Sequence, residues 1–202
     1  WALNSMISAV CGNTTVWKPS EVTPVTSIAM TKICADVAAK HGFPGLFTLV
    51  NGEADLGQKI AADKRFPLVS ATGSCRMGRS VAEAVGKRLG RSLLELGGNN
   101  AVVVLKDADL DLVTRAILFG AVGTAGQRCT STRRILVEES IREELTNRLT
   151  EAYKQVPIGN PLNDGTLMGP LVNEQAVSSY KNACEEVVKQ GGKILCGGNT
   201  AE

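Results

Sequence analysis

Short strand-like runs alternate with longer helix-like segments along most of this 202-residue chain. The predicted strands are 15–17, 46–50, 67–71, 92–96, 101–105, 133–137 and 193–196. Between them apolar residues recur at helical spacing; after the start signal Thr23-Pro24 they are Val25, Ile28, Ala29, Ile33 and Val37. Strands that alternate with helices are typical of a parallel sheet with crossover helices, so the sequence predicts an α/β fold.

A glycine pair after the strand 92–96 divides the chain. We predict the domain boundary at Gly97-Gly98, with one domain over 1–97 and a second over 98–202. The run 101–105 is continuously apolar, which is typical of a strand buried on both faces. The helical segment 1–10 has no start signal and the last unit is not completed, so we expect both domains to be incomplete.

The composition argues against several classes of protein. Hydrophobic residues make up 44% of the chain, which is enough for a soluble chain to bury a core. A net charge of +2 and an aromatic content of 4% predict no binding to nucleic acid. No apolar run approaches the roughly 18 residues of a membrane span, so no membrane association is expected. We expect a cytoplasmic protein, with the mitochondrion as the alternative because a targeting segment would lie outside this chain.

Cysteine and histidine usage predicts no metal site and no disulfide framework. Six cysteines are scattered without a Cys-x-x-Cys pair, and His41 is the only histidine. His41 precedes Gly42, where we predict that a helix ends. Five of the cysteines are expected to be small buried hydrophobes or bystanders, and Cys129 is the exception.

Cys129 and Glu95 are the candidates for catalysis. Cys129 follows Gly126-Gln127-Arg128, where a glycine allows close backbone approach and Arg128 brings positive charge near the sulfur. Glu95 is the only carboxylate of an apolar, glycine-bounded run, and a carboxylate there can steer water as a base. A buried structural cysteine and a surface glutamate remain an equal alternative on these features alone.

The motifs Leu94-Glu95-Leu96-Gly97-Gly98 and Gly126-Gln127-Arg128-Cys129, with acid and thiol thirty-four positions apart, resemble the aldehyde dehydrogenase family. In that family the cysteine is the nucleophile and the glutamate is the general base. Two longer motifs are most similar to the α-aminoadipic semialdehyde dehydrogenase, or antiquitin, branch, which implies a role in lysine catabolism. They are Gly98-Asn99-Asn100-Ala101 and Gly123-Thr124-Ala125-Gly126-Gln127-Arg128-Cys129-Thr130. The resemblance covers essentially the whole chain. It implies a Rossmann-like parallel-sheet NAD-binding domain over 1–97, an α/β catalytic domain over 98–202, and a homo-oligomer, either dimer or tetramer.

The same resemblance implies that Lys18 and Glu21 bind NAD. They match the family's residues that hold the adenosine ribose hydroxyls, and a glutamate at this place favours NAD over NADP. From the residues alone, an exposed ion pair is the alternative.

The resemblance also implies a pyrophosphate-binding turn at Gly73, Ser74 and Gly78, with Leu96 as a further cofactor contact. A glycine turn that opens a helix offers free N–H groups to a phosphate, although a plain tight turn is an alternative. The chain departs from the family at Cys75, where a threonine is usual, and at Ala71, where a phenylalanine is usual.

Arg128 and Thr130 are the residues that the resemblance places at the substrate, a small-molecule aldehyde. In the aminoadipic branch the arginine holds a carboxylate, for which a guanidinium is well shaped, so the implied substrate is a carboxylate-bearing semialdehyde. The Gly-Gln-Arg-Cys word also occurs in non-phosphorylating glyceraldehyde-3-phosphate dehydrogenases, which leaves that branch open. A third alternative is an inactive fragment with a structural or regulatory role, because several family elements have no counterpart in these 202 residues.

Overall fold

A computed structural model describes residues 1–200 of the chain. These residues form two compact units, Trp1–Leu96 and a second unit that begins at Gly97. The first unit contains α1 (Ala2–Val10), β1 (Thr15–Trp17), α2 (Pro24–Lys40), β2 (Phe47–Leu49), α3 (Ala54–Ala62), β3 (Leu68–Thr72), α4 (Cys75–Lys87) and β4 (Arg91–Glu95). The second contains β5 (Asn100–Val104), α5 (Leu110–Val122), a 3₁₀ turn (Gly123–Gly126), β6 (Thr132–Val137), a 3₁₀ turn (Glu139–Ile141), α6 (Arg142–Lys154) and α7 (Glu174–Lys189).

All three strand pairs are parallel, which confirms the predicted α/β class. In the first unit β1 pairs with β2 and β3 pairs with β4; in the second unit β5 pairs with β6. Each pair is joined through a crossover helix, as parallel pairing requires. Within residues 1–200 the first unit therefore contains two separate two-stranded pairs rather than one continuous sheet.

The core of the first unit gathers around aromatic side chains from α1 and the first strand pair. Trp1 stacks on Trp17 with ring centroids 4.8 Å apart and meets Phe47 edge-on at 5.9 Å. Such offset or edge-on arrangements are favoured by the aromatic quadrupole. They fix α1 against β1 and β2.

The core of the second unit lies between β5 and the helices α5 and α6. Its buried cluster consists of Val104, Ile117, Leu145 and Leu149. Helix α5 begins at Leu110, because the Asp109 side chain accepts hydrogen bonds from the backbone N–H groups of Asp111 and Leu112. The carboxyl end of β5, where Val104 lies, is therefore packed against α5 and α6.

The predicted core face of α2 is wrong. The buried residues of this helix are Ser27, Thr31 and Ala38, whereas Val25 is 78% exposed and Ile33 is 59% exposed. Small side chains allow a helix to approach its neighbours closely, and the larger apolar face remains uncovered in residues 1–200. Periodicity identified the helix but not the face that has a partner.

Two further sequence predictions fail for local reasons. Strand β5 is covered on one face only, with Val103 67% exposed, so it is not buried on both faces. Residues 193–196 form no strand, since no neighbouring strand is present there to pair with them among the described residues.

Candidate active site

Glu95 is the last residue of β4, at the carboxyl end of the β3–β4 pair. Its register partner is Thr72, and its backbone carbonyl accepts a hydrogen bond from the N–H of Gly73 at 3.0 Å. The side chain is exposed within this unit, although the run in which it lies is apolar, and its role as the base stays a prediction. The backbone of the candidate base is thus fixed directly to the turn that opens α4.

Ser74 caps α4 at this turn. Its side-chain oxygen accepts a hydrogen bond from the N–H of Met77 at 3.1 Å, so one of the free N–H groups of the helix start is already satisfied. The hydroxyl hydrogen of Ser74 remains available to donate to a ligand. A 13-residue helix that begins at the carboxyl end of a parallel strand provides a suitable place for an anionic group.

Gly78 is a packing position within α4 and does not line an open surface. It is buried in α4, and a Cβ at this position would lie 2.5 Å from Cδ2 of Leu96. The glycine therefore makes room for Leu96, which follows Glu95 directly. This packing links α4 to the end of β4, and the assignment of both residues to cofactor binding stays a prediction.

Lys18 and Glu21 lie just after β1. The Lys18 ammonium donates to the carbonyl of Pro19 at 2.7 Å and lies 3.9 Å from the Glu21 carboxylate. The Lys18 side chain is 17% exposed and runs along α3 near Gly57, whereas the Glu21 side chain is 63% exposed. The pair therefore lies at the carboxyl end of a parallel strand, where α/β proteins bind nucleotides, and its role stays a prediction.

A left-handed turn precedes Cys129. Thr124 and Ala125 have φ values of 55° and 52°, and Gly126 follows at 69°. Glycine adopts this region without cost, but a β-branched threonine there is strained by about 1–3 kcal/mol. Such strain persists only where surrounding contacts hold it, and it clusters at functional sites.

The contacts that hold this loop come from side chains of β5 and β6. The Asn100 amide donates from Nδ2 to the carbonyls of Cys129 at 2.6 Å and Ser131 at 3.0 Å. Arg133 donates to the carbonyls of Gly126 and Arg128, each at 3.3 Å. Four loop carbonyls are therefore satisfied from one strand pair.

Ser131 forms hydrogen bonds inside the turn. It is 2% exposed, its hydroxyl accepts from the N–H of Arg128 at 3.2 Å, and its own N–H donates to the Arg128 carbonyl. Cys129 is exposed, and its backbone N–H has no hydrogen-bond partner among residues 1–200. The arrangement presents an accessible thiol next to an unused donor.

Arg128 is oriented along the loop. Its Nε donates to the Thr124 hydroxyl at 2.7 Å, and the rest of its guanidinium lies 3.4–3.7 Å from where a Cβ of Gly123 would be. The terminal N–H groups face no carboxylate among the described residues. Thr130 is exposed beside it. A guanidinium tethered at Nε and otherwise free can bind an incoming carboxylate.

Sequence reasoning missed Asn100, Ser131 and Arg133. Asn100 belongs to the Gly98-Asn99-Asn100-Ala101 motif that carries the resemblance, but its residue type does not by itself indicate a role. Only the parallel pairing of β5 with β6 brings Asn100 to the cysteine loop, whereas Ser131 and Arg133 follow Cys129 closely in the sequence. Among the described residues no cluster of histidine, cysteine and acidic side chains is arranged to hold a metal ion, and no helix is long and apolar enough to cross a membrane.

Both units are parallel α/β; the first carries the acid Glu95 at the end of β4, and the second carries the exposed Cys129. A model of the aldehyde dehydrogenase family matches residues 1–202, and the chain belongs to this family. This confirms the resemblance drawn from the two motifs.

Individual members of the family are similar to the chain in sequence and in structure. It is 50% identical over 200 residues to aldehyde dehydrogenase family 7 member B4 of Arabidopsis thaliana and 48% identical to α-aminoadipic semialdehyde dehydrogenase of Bos taurus, in each case over 98% of the chain. Among solved structures, an NAD-dependent aldehyde dehydrogenase from Sinorhizobium meliloti superimposes with a TM-score of 0.87 over 93% of the chain, at 37% identity. The chain spans 39%, 37% and 37% of the lengths of these three proteins.

Proposed function

We propose that this chain belongs to an NAD-dependent aldehyde dehydrogenase subunit that oxidises an aldehyde to the corresponding acid. The observation that carries the proposal is the exposed Cys129 thiol, on a loop whose carbonyls are held while the Cys129 N–H stays unpaired. Membership of the family along the whole chain supports the same reaction.

Cys129 provides the nucleophile. Its thiolate adds to the aldehyde carbon, and the oxygen of the resulting thiohemiacetal acquires negative charge that a fixed donor can stabilise. The unpaired N–H of Cys129 is the donor that this loop supplies. NAD, when bound, accepts the hydride that leaves this carbon.

Glu95 acts on the thioester that remains on Cys129. Its carboxylate deprotonates the water that attacks the thioester carbon, and the acid product leaves as the thiolate is restored. The exposure of its side chain in this unit is compatible with access to water.

Residues of the first unit fit an NAD molecule. The start of α4 at Gly73 and Ser74 suits the pyrophosphate, because a Cβ at Gly73 would meet only the terminal methyl of Met77 and the backbone is otherwise open. Lys18 and Glu21, at the carboxyl end of β1, offer a donor and an acceptor to ribose hydroxyls.

We assign the substrate to the carboxylate-bearing semialdehydes. Arg128 supports this choice, since its terminal N–H groups are free of carboxylates within the described residues. The name of the Bos taurus relative, α-aminoadipic semialdehyde dehydrogenase, points to the same chemical class.

The test uses a subunit of the relatives' full length that carries this chain, called the full-length subunit below. In Glu95→Gln the initial burst of NADH should survive, while steady turnover falls by about 10²–10⁴, the scale for a lost general base. In Cys129→Ser both should disappear. Cys196→Ser, which changes another exposed thiol, is the matched control and should keep both. Turnover that survives Cys129→Ser would contradict the proposed mechanism. Loss of the NADH burst in Glu95→Gln would assign Glu95 to a step before thioester cleavage.

A further inference from the structure

We propose that Asn100 is the positioning residue of the Cys129 nucleophile: its single amide group holds the carbonyls on both sides of Thr130 and so fixes the reactive turn. The inference rests on the proposed function, in which Cys129 is the nucleophile. It concerns a residue that touches the peptide backbone of Cys129 and not the substrate.

The contacts use the whole donor capacity of the amide. A side-chain NH₂ group has two hydrogens, and Asn100 directs one to the Cys129 carbonyl at 2.6 Å and one to the Ser131 carbonyl at 3.0 Å. Because both acceptors are backbone atoms of one short turn, the amide fixes the Cys129–Thr130 and Ser131–Thr132 peptide planes. A rotation of either plane would break one of the two bonds.

Gly98 leaves the space that this contact needs. A Cβ at Gly98 would lie 2.9 Å from the Cys129 carbonyl oxygen and 2.9 Å from Oδ1 of Asn100. The Cys129 carbonyl oxygen is a backbone atom, so it cannot move away from an added Cβ as the end of a side chain can. The glycine has no left-handed φ, so its missing Cβ and not its conformation is what the site requires.

An irregularity in the strand pair completes the arrangement. Asn100 pairs with Thr132 and Ala101 pairs with Arg134, so Arg133 is an extra residue on β6. A bulge of this kind redirects a side chain, and here the Arg133 guanidinium reaches the carbonyls of Gly126 and Arg128. The carbonyls before Cys129 are thus held by the bulge residue, and those from Cys129 onward by Asn100.

The physical consequence concerns the transition state rather than substrate binding. A donor stabilises a developing oxyanion only when it is fixed in place beforehand, because reorganisation during the reaction would cancel the gain. The Cys129 N–H belongs to the turn that Asn100 and Arg133 hold. Loss of the Asn100 amide should therefore lower kcat and leave KM for the aldehyde nearly unchanged.

The kinetic experiment compares Asn100→Ala, Asn100→Asp and Gly98→Ala with Asn99→Ala in the full-length subunit. Asn99 is exposed and adjacent, and its backbone carbonyl still accepts from Arg134 in the variant, so it is a matched control. Removal of a direct oxyanion donor costs about 10²–10³ in kcat, so removal of its support should cost about tenfold to a hundredfold. KM should stay within about twofold, which is the signature of a contact that matters in the transition state.

Two comparisons sharpen the result. Asn100→Asp should lose at least as much kcat as Asn100→Ala, since a carboxylate would face two carbonyl oxygens. The double variant Gly98→Ala/Asn100→Ala should lose little more than either single variant, because both changes disturb the same contact. Losses that multiply, or an equal loss in Asn99→Ala, would contradict the assignment.

Hydrogen exchange of the 202-residue chain gives a readout that is independent of activity. In Asn100→Ala the amides of Arg128 and Ser131, which are hydrogen-bonded within the turn, should exchange about tenfold faster, while those of α6 keep their rates, because only the local opening of the turn becomes easier. Unchanged exchange of these two amides together with unchanged kcat overturns the positioning role. If instead the unmodified full-length subunit has no Cys129-dependent turnover, the proposed function fails, and faster exchange of the two amides still supports the contact.

Discussion

Substitution of Ser74 separates a structural role from a cofactor role at the start of α4. The Ser74 side chain accepts one helix-cap hydrogen bond, from Met77 N–H at 3.1 Å, in an exposed position. Loss of such a cap in Ser74→Ala costs about 0.5–2 kcal/mol, and we expect about 1 kcal/mol because water can reach the freed N–H. For a unit of this size, that loss lowers the melting temperature by about 4–8 °C.

Ser74→Asp should have the opposite profile. Aspartate is as good a cap as serine and interacts favourably with the positive end of the helix, so stability should be kept or slightly raised. Its charge would lie next to the pyrophosphate of NAD, and like charges about 4 Å apart repel by up to about 4 kcal/mol near a protein surface. NAD affinity should therefore fall by at least about tenfold.

Two measurements on these variants test the reasoning. Both tryptophans, Trp1 and Trp17, lie in the first unit, so their fluorescence during urea unfolding of the 202-residue chain reports on that unit alone. Calorimetric titration of the full-length subunit gives the NAD affinity. Ser80→Ala, an exposed change in the middle of α4, is the control and should not destabilise, because alanine is the better helix former. If Ser74→Asp bound NAD as tightly as the unchanged protein, Ser74 would not be at the pyrophosphate.

Three further predictions concern other parts of the chain. Arg128→Ala in the full-length subunit should raise KM for a carboxylate-bearing semialdehyde by about tenfold to a hundredfold more than for a neutral aldehyde of similar length, the scale for a lost charged hydrogen bond; equal losses would refute the carboxylate contact. Leu145, which is 1% exposed, should lose about 2–5 kcal/mol of unfolding free energy as Leu145→Ala, whereas Leu162→Ala, at a site 90% exposed, should stay within about 0.5 kcal/mol, both by circular dichroism in urea. The Arg65 guanidinium lowers the pKa of Asp63 from 3.8 to about 2, so its contribution to stability is complete above pH 3.8 and lost as the pH falls toward 2; Asp63→Asn should flatten the stability profile in that window, and a carboxyl titration followed by NMR that gives an ordinary pKa would contradict it.

The strand and helix positions follow well from local signals. β1 occupies Thr15–Trp17 and α2 begins at Pro24, as the sequence predicts, because turn residues and a start signal mark these positions. The errors arise where the burial of a face depends on which neighbouring element covers it. The apolar side of α2 and the outer side of β5 are uncovered in residues 1–200, and a single sequence carries no direct sign of which face meets another element.

The candidate site shows a similar division between local and distant information. Cys129 and Glu95 are predicted from the residue types that a nucleophile and a base need beside glycines. The backbone support of Cys129 was missed because Asn100 acts on residues 29 and 31 positions away, through a contact that exists only once β5 and β6 are paired. The family is confirmed, while the roles of individual residues at the site stay predictions that the substitutions above address.

The geometry around Cys129 gives a physical reason for the glycine and asparagine that follow Glu95. Gly98 leaves room for the Cys129 carbonyl, and Asn100 binds that carbonyl from the start of β5. The segment that carries the candidate base is therefore continuous with the segment that fixes the nucleophile's backbone. A change at Gly98 or Asn100 should then affect both addition to the aldehyde and cleavage of the thioester, whereas a change at Glu95 should affect the second step alone. Measurement of the NADH burst and of steady turnover in the same preparations separates these cases, because a Gly98→Ala burst as fast as that of the unchanged subunit would be inconsistent with a role in addition.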